Sequence, residues 1–164
     1  MTTSTALDLV IDREVDVPVS AVWAGWTRPE LIVQWWTPAP WKTVACELDL
    51  RPGGLFATTM ESPDGERYPS HGCILEVEPE RRITWTSVMS ADFRPTPPAN
   101  GADDLPFTAT ITMEPTASGG TKYRAVARHA DEAGARRHEE MGFHEGWGTV
   151  FDQLVGLIRS GAVA

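Results

Sequence analysis

The distribution of apolar residues constrains this fold more than any other sequence feature, because two periodicities occupy separate parts of the chain. Apolar and polar residues alternate near the N-terminus and through much of residues 44–129, which predicts strands with one buried face. Residues 132–159 contain no proline and carry an apolar stripe at steps of four, three and four, which predicts a long helix packed on a core. The stripe consists of Trp147, Phe151, Leu154 and Ile158. Segregated strand and helix patterns indicate an α+β fold with an antiparallel sheet.

The alternating segments predict seven strands, with two short helices after the first strand. Residues 7–17 form the first strand pattern, and residues 19–26 and 27–36 are the short helices. A capping box, Thr27 to Glu30, opens the second of these helices. The six later strands are predicted at residues 44–50, 55–60, 68–78, 83–88, 107–114 and 123–129. Residues 89–105 are rich in proline and are expected to form a long loop, which in other proteins is often a lid.

Charge limits the classes of partner that this chain can bind. Its 164 residues include 14 Lys and Arg against 23 Asp and Glu, so the formal net charge is −9. Binding to phosphates requires clustered cations, and an anionic membrane surface repels an acidic chain. The only short basic pairs, Arg81 with Arg82 and Arg136 with Arg137, are interpreted as solvated turn and helix surface. We therefore expect neither nucleic acid nor membrane as a partner.

Length and cysteine content predict a single domain in a reducing compartment. A chain of 164 residues has the usual size of one domain, and no linker or internal repeat divides residues 1–164. Cys46 and Cys73 are too few for a disulfide framework. The N-terminus has no signal-peptide pattern, and no apolar run approaches the ~20 residues of a membrane span. We expect a cytoplasmic protein.

Local motifs for catalysis and cofactor binding are missing from the sequence. His138 and His144 each lack the second histidine of a zinc-protease helix. The sequence contains neither a phosphate-binding loop nor a Gly-x-Ser-x-Gly elbow. We therefore expect no cofactor and no metal, so a polar site would be assembled from residues that are distant along the chain.

Eight short motifs follow one another over residues 8–160, each occurring once. They are Val17-Pro-Val-Ser-Ala-Val-Trp23, Trp26-Thr-Arg-Pro-Glu-Leu31, Trp35-Trp-Thr-Pro38, Leu48-Asp-Leu-Arg-Pro-Gly-Gly54, Met60-Glu-Ser-Pro-Asp-Gly65, Gly72-Cys-Ile-Leu-Glu-Val77, Gly119-Gly-Thr121 and Met141-Gly-Phe-His-Glu-Gly-Trp147. In this ordered set the chain resembles the SRPBCC (START-like) superfamily, in the branch homologous to the activator of the heat-shock protein 90 ATPase.

The resemblance implies a helix-grip fold, in which a curved antiparallel sheet of seven strands wraps around the long C-terminal helix and leaves a cavity between them. Most members of this superfamily bind small ligands. Some relatives are described as polyketide cyclases or aromatases, and a few as co-chaperones. The family offers no universal catalytic motif, so the resemblance implies a fold more firmly than a function.

Strand alternation predicts which side chains face the helix across this cavity. The candidate ligand-binding residues are Met60, His71, Cys73, Trp85, Tyr123 and His129 on the sheet, with His144 and Trp147 on the helix. Chain reversal at shared turns places His71, His129 and His144 near one end of the sheet. Glu140 is expected beside them. The other tryptophans are interpreted as core and helix-packing anchors: Trp23, Trp26, Trp35, Trp36 and Trp41.

These candidates favour a ligand-binding protein and leave two alternatives open. The first hypothesis is a soluble protein that binds a hydrophobic or polyaromatic small molecule in an aromatic-lined cavity. The second is a cofactor-independent enzyme of the polyketide cyclase or dehydratase type, in which His129 or His144 exchanges protons together with Glu140. The third, implied by the family resemblance, is a co-chaperone-like module. Ligand identity and oligomeric state stay open.

Overall fold

The computed structural model describes residues 6–97 and 105–163. Its strands are β1 (Asp8–Val15), β2 (Lys42–Leu48), β3 (Leu55–Glu61), β4 (Arg67–Glu78), β5 (Arg82–Thr86), β6 (Met89–Ser90), β7 (Arg94–Pro95), β8 (Thr108–Pro115) and β9 (Thr121–Arg128). Its helices are α1 (Val19–Thr27), α2 (Pro29–Trp35), α3 (Glu132–Glu140) and α4 (Phe143–Arg159). None of the helices in these two ranges is both long enough and apolar enough to cross a membrane.

Seven strands form one antiparallel sheet in the order β1-β9-β8-β5-β4-β3-β2. This sheet, the two short helices after β1 and the long helix at the end confirm the predicted α+β, helix-grip architecture. Two strands carry irregularities in register, between Thr43 and Ala45 in β2 and between Ile74 and Glu76 in β4. Such bulges bend a sheet locally, and the second one changes which side chains face inward.

The stripe on α4 packs on the sheet as the periodicity predicted. Phe151 and Leu154 are almost fully buried, and the ring of Phe151 stacks on that of Tyr123 at 3.8 Å between centroids. We call the face of the sheet that carries Tyr123 and meets α4 the inner face. Gln153 joins α4 to α2, because its side-chain amide donates to the carbonyl oxygens of Trp35 and Thr37 at 3.0 and 2.9 Å.

The short helices differ from the sequence prediction at their junction. The Thr27 hydroxyl donates to the carbonyl of Trp23 at 2.8 Å and so stays with α1, and no side chain caps α2. The predicted capping box is therefore wrong: α2 begins at Pro29, where the missing N–H of proline leaves one fewer unpaired donor in the first turn. Trp26 and Trp35 lie in the core, as anchors of these helices.

The C-terminal helical segment is two helices rather than the single helix predicted over residues 132–159. Gly142 has φ +94°, in the left-handed region that suits glycine, and it separates α3 from α4. Asp131 begins α3 by accepting a hydrogen bond from the backbone N–H of Gly134 at 2.7 Å. Because the chain turns at Gly142, the stripe of α4 does not continue back through α3.

The segment predicted as a loop over residues 89–105 contains local structure in its described part. The strands β6 and β7 pair with each other, Met89 with Pro95 and Ser90 with Arg94, around a short 3₁₀ turn. The backbone N–H of Asp92 donates to the carbonyl of Gly53 at 2.7 Å and fixes this small hairpin beside the sheet. Residues 98–104 lie outside the described residues, so the lid stays a prediction.

Replacing Phe151 with alanine should lower the free energy of unfolding by about 3–5 kcal/mol, because it empties a buried phenyl site stacked on Tyr123. Chemical denaturation measures this difference. Thr149→Ala, at an exposed position of the same helix, is the matched control and should change stability by less than about 0.5 kcal/mol. A loss below about 1 kcal/mol in the Phe151 variant would contradict the packing described here.

Candidate functional site

A cavity of about 910 Å³ opens on the inner side of β3, β4 and β5, beside the C-terminal end of α3. We call it the aromatic chamber. Its apolar wall is formed by Trp36, Phe56, Trp85 and Phe107. Arg137 and His138 contribute its charged and titratable groups from α3, and Met141 lies at its edge. The chamber therefore combines a patch of aromatic rings with polar side chains that come from both the sheet and α3.

The aromatic wall is the surface of a larger cluster of rings. Trp85 lies in its centre, 5% exposed, with the ring centroids of Phe56 and Trp36 at 5.5 and 5.9 Å. Behind it, the ring of Trp147 stacks at 6.3 Å with an interplanar angle of 8°. Tilted and edge-on ring pairs at such distances contribute beyond the area they bury. The wall is thus held in place by the core, and a ligand would meet it preformed.

Two histidines form a hydrogen-bonded pair between the sheet and α3. His129 follows β9, and its Nδ1 lies 2.8 Å from the carbonyl oxygen of Leu7, which can only accept. His129 Nδ1 therefore carries a proton, so in the neutral ring Nε2 is an acceptor. That Nε2 lies 2.8 Å from Nδ1 of His138, which must donate. The network assigns the remaining nitrogen of neutral His138, Nε2, as an acceptor.

His138 occupies a largely apolar environment on the chamber wall. It is 8% exposed, and the rings of Phe107 and Phe143 lie 5.2 Å from its own. Burial, followed by the proximity of His129, lowers the pKa of His138 from 6.5 to about 4. The ring is therefore neutral at pH 7. Within the described chain its Nε2 makes no hydrogen bond, which leaves one acceptor for a ligand.

Arg137 lies on the same side of the chamber and has one unpaired donor. Its Nη2 is buried and has no hydrogen-bond partner. Over residues 6–97 and 105–163, Arg137 forms no ion pair either. The sequence interpretation of Arg137 as solvated helix surface is therefore wrong, whereas its neighbour Arg136 is exposed on the other side of α3.

The structure brings some of the predicted site residues together. Trp85 lies on the chamber wall, Trp147 packs behind it, and His129 reaches the chamber through His138. Tyr123 is on the inner face but lies beneath Phe151, and burial raises the pKa of its hydroxyl. Met60 is half-buried further along β3, opposite Tyr68.

The expectation that His144 and Glu140 lie beside His129 is wrong. His144 is on a separate groove of about 450 Å³ between α3 and β1, with its Nδ1 4.0 Å from a carboxylate oxygen of Glu139. Glu140 is exposed. The physical reason is the turn at Gly142, which ends the helix on which the predicted alignment of these residues depended.

The predicted inward orientation of His71 and Cys73 is also wrong. Ile74 pairs with Trp85 and shares its face, so the preceding Cys73, which pairs with Thr86, lies on the opposite face. The bulge between Ile74 and Glu76 inserts one residue and reverses the alternation on its N-terminal side. His71 is consequently exposed at the chamber rim, and Cys73 is buried under the outer side of the sheet.

Sequence reasoning missed His138, Arg137 and Trp36 as chamber residues. The buried residues of α3 are Ala135 and His138, three positions apart, which is the spacing of one helix face. If a separate helix that ends before Gly142 is assumed, the sequence shows this spacing of Ala135 and His138 on one helix face. Among the described residues, no three His, Cys, Asp or Glu side chains are grouped so that they could hold a metal ion.

Comparison with known proteins matches residues 16–159 to the family described as "Activator of Hsp90 ATPase homolog 1-like protein". The crystal structure of protein NE0264 from Nitrosomonas europaea is 44% identical, with a TM-score of 0.90 over 99% of this chain and 100% of that one. Protein Ms6760 from Mycobacterium smegmatis is 26% identical, with a TM-score of 0.75 over 93% and 90% of the two chains. The AHSA1 protein from Silicibacter pomeroyi, 23% identical with a TM-score of 0.66 over 94% and 99%, shares the fold. No functionally curated protein matches the chain.

The burial of neutral His138 predicts a specific dependence of stability on pH. Between about pH 6.5 and 4 the unfolded chain binds a proton at this residue that the folded chain does not. The wild type should therefore lose stability relative to His138→Asn by roughly 1.4 kcal/mol per pH unit as the pH falls through that window. Above pH 6.5 the difference between the two proteins should be constant.

Urea denaturation of both proteins at several pH values measures this difference, and groups that titrate equally in both cancel. Asparagine retains an N–H donor near the position of Nδ1, so the hydrogen bond to His129 has a replacement. Stability curves that stay parallel down to pH 4 would contradict a neutral, buried His138.

Proposed function

Because this chain belongs to the Activator of Hsp90 ATPase homolog 1-like protein family and has a cavity lined in part by aromatic rings, we propose that it binds an aromatic small molecule in the aromatic chamber. The observation that carries this proposal is the chamber itself. Its volume of about 910 Å³ is within the range of roughly 300–1,000 Å³ of small-molecule sites. Binding sites of that kind are lined mainly by apolar and aromatic groups, with few polar ones.

The composition of the wall supports an aromatic ligand over an aliphatic one. Trp36, Phe56 and Phe107 offer flat ring surfaces against which another ring can stack or meet edge-on. Trp85 contacts Trp26, Trp36, Phe56 and Trp147, so its ring has little freedom to move. A rigid wall of this type lowers the ordering cost of binding, since few side chains must be immobilised.

A cofactor-independent cyclase or dehydratase is the second candidate, and the His129–His138 pair is the observation that favours it. His138 Nε2 could accept a proton from a substrate held in the chamber, with His129 as the residue that positions it. A pKa of about 4, however, makes His138 a weak base at neutral pH. The same atom is well suited to accept a hydrogen bond, so the electrostatics favour binding over turnover.

Methyl 2-naphthoate, a neutral aromatic ester, is a suitable probe for the proposed function. It should bind and quench tryptophan fluorescence, since Trp36 and Trp85 line the chamber. Thr58→Phe should weaken binding by about tenfold or more, because Thr58 is a buried residue of the wall and a phenyl ring would occupy ligand space. Fluorescence titration or calorimetry measures the affinity.

Thr59→Phe is the matched control for this experiment. It introduces the same ring at the next position of β3, which alternation places on the opposite face of the sheet. The control should keep the wild-type affinity within about twofold. Equal losses in both variants, or no saturable binding to the folded wild type, would contradict a site in the chamber.

A further inference from the structure

We propose that the natural ligand of the aromatic chamber carries a carboxylate that pairs with Arg137. This inference rests on the proposed binding function and specifies the chemical class of the ligand: an aromatic carboxylic acid rather than a neutral hydrocarbon. The chamber supplies the aromatic surface, and the guanidinium of Arg137 supplies the positive charge at its side.

The first step of the argument is the unpaired state of Arg137. Buried polar groups are almost always hydrogen-bonded, because leaving a donor without an acceptor forfeits its interaction with water. Nη2 of Arg137 is buried and lacks an acceptor. The surface residue Arg124, in contrast, pairs with Asp12 at 2.7 Å.

The second step is the direction of the Arg137 side chain. Glu140 lies three residues further along α3, a spacing at which opposite charges on a helix can pair. Among the described residues no ion pair joins the two, and Arg137 instead contributes to the chamber wall. Arg137 therefore lines the chamber without an acidic partner among the described residues.

The third step is the match between this group and a carboxylate. Guanidinium donors form a planar fork that fits the two oxygens of a carboxylate. Nη2 of Arg137 is buried, so water competes less for a pair formed there than at the surface. With both rings neutral, the adjacent Nε2 of His138 is an acceptor, so it is suited to a hydroxyl on the same ligand and not to its carboxylate.

Two probes that share one ring system but differ in charge test the inference: 2-naphthoate, which is an anion at pH 7, and its neutral methyl ester. Both are titrated into the wild type, Arg137→Gln and Arg136→Gln. We expect Arg137→Gln to weaken binding of 2-naphthoate by roughly 10- to 100-fold, the range for losing a hydrogen bond to a charged group. Binding of the methyl ester should change by less than about twofold.

Arg136→Gln is the matched control, because it removes the same charge from the neighbouring exposed position. It should leave both affinities unchanged, which excludes an effect of net charge alone. If Arg137→Gln does not fold, Arg137→Lys retains the charge without the planar fork, and a several-fold loss confined to 2-naphthoate is expected.

The possible results separate this inference from the proposed function. Equal weakening of both probes by Arg137→Gln would show that Arg137 only shapes the chamber, and unchanged affinity for 2-naphthoate would show that its donor is satisfied by water. Either result overturns the carboxylate proposal and leaves aromatic binding intact. Failure of both probes to bind the wild type would overturn the proposed function, and this inference with it.

Discussion

The left-handed turn at Gly142 decides how the C-terminal segment meets the sheet, and the geometry of the chamber depends on it. On one continuous helix, residue 138 would lie about 220° around the axis from residue 151, since each residue advances ~100°. His138 would then point away from the core that buries Phe151. The positive φ of Gly142 ends α3 and lets α4 begin along a different axis. As a result, α4 packs its apolar stripe on the sheet, while Arg137 and His138 of α3 line the chamber.

A single backbone carbonyl determines which histidine nitrogens beside the chamber donate hydrogen bonds and which accept them. The carbonyl of Leu7, just before β1, can only accept, so it determines which nitrogen of His129 is protonated. His129 in turn determines the tautomer of His138, and the acceptor at Nε2 follows from those two steps. Because both rings are buried, the hydrogen bonds between them are little weakened by solvent. The polarity offered to a ligand is thus set by a residue that does not line the chamber.

Periodicity predicts the α+β class and most of the strands because the hydrophobic pattern and the topology agree over most of the chain, whereas the helix-grip arrangement is implied by the family resemblance. Periodicity fails where one inserted residue shifts the alternation of inward and outward side chains along a strand. The bulge after Ile74 adds a residue to β4, which moves Cys73 and His71 to the other face without altering the apolar composition. His129 lies on the inner face, where it contacts His138, because β9 is regular along its pairing with β8. Its contact with His138 depends on the angle between α3 and the sheet, which no strand or helix period encodes.

The aromatic wall of the chamber and the polar groups of α3 beside it belong to different parts of the chain. The aromatic wall belongs to the core, and each of its rings also stabilises the fold, so a substitution such as Trp85→Ala would change ligand contact and folding together. The polar side is carried by α3, which is bounded by Asp131 and by Gly142 and contributes only Ala135 and His138 to the buried interior. The exposed polar residues of this helix can therefore be exchanged at small cost in stability, whereas a change at His138 also removes its hydrogen bond to His129. If the chamber binds a ligand as proposed, affinity for a ring system is tied to the integrity of the core, whereas the groups that select the polar part of the ligand lie on one short helix.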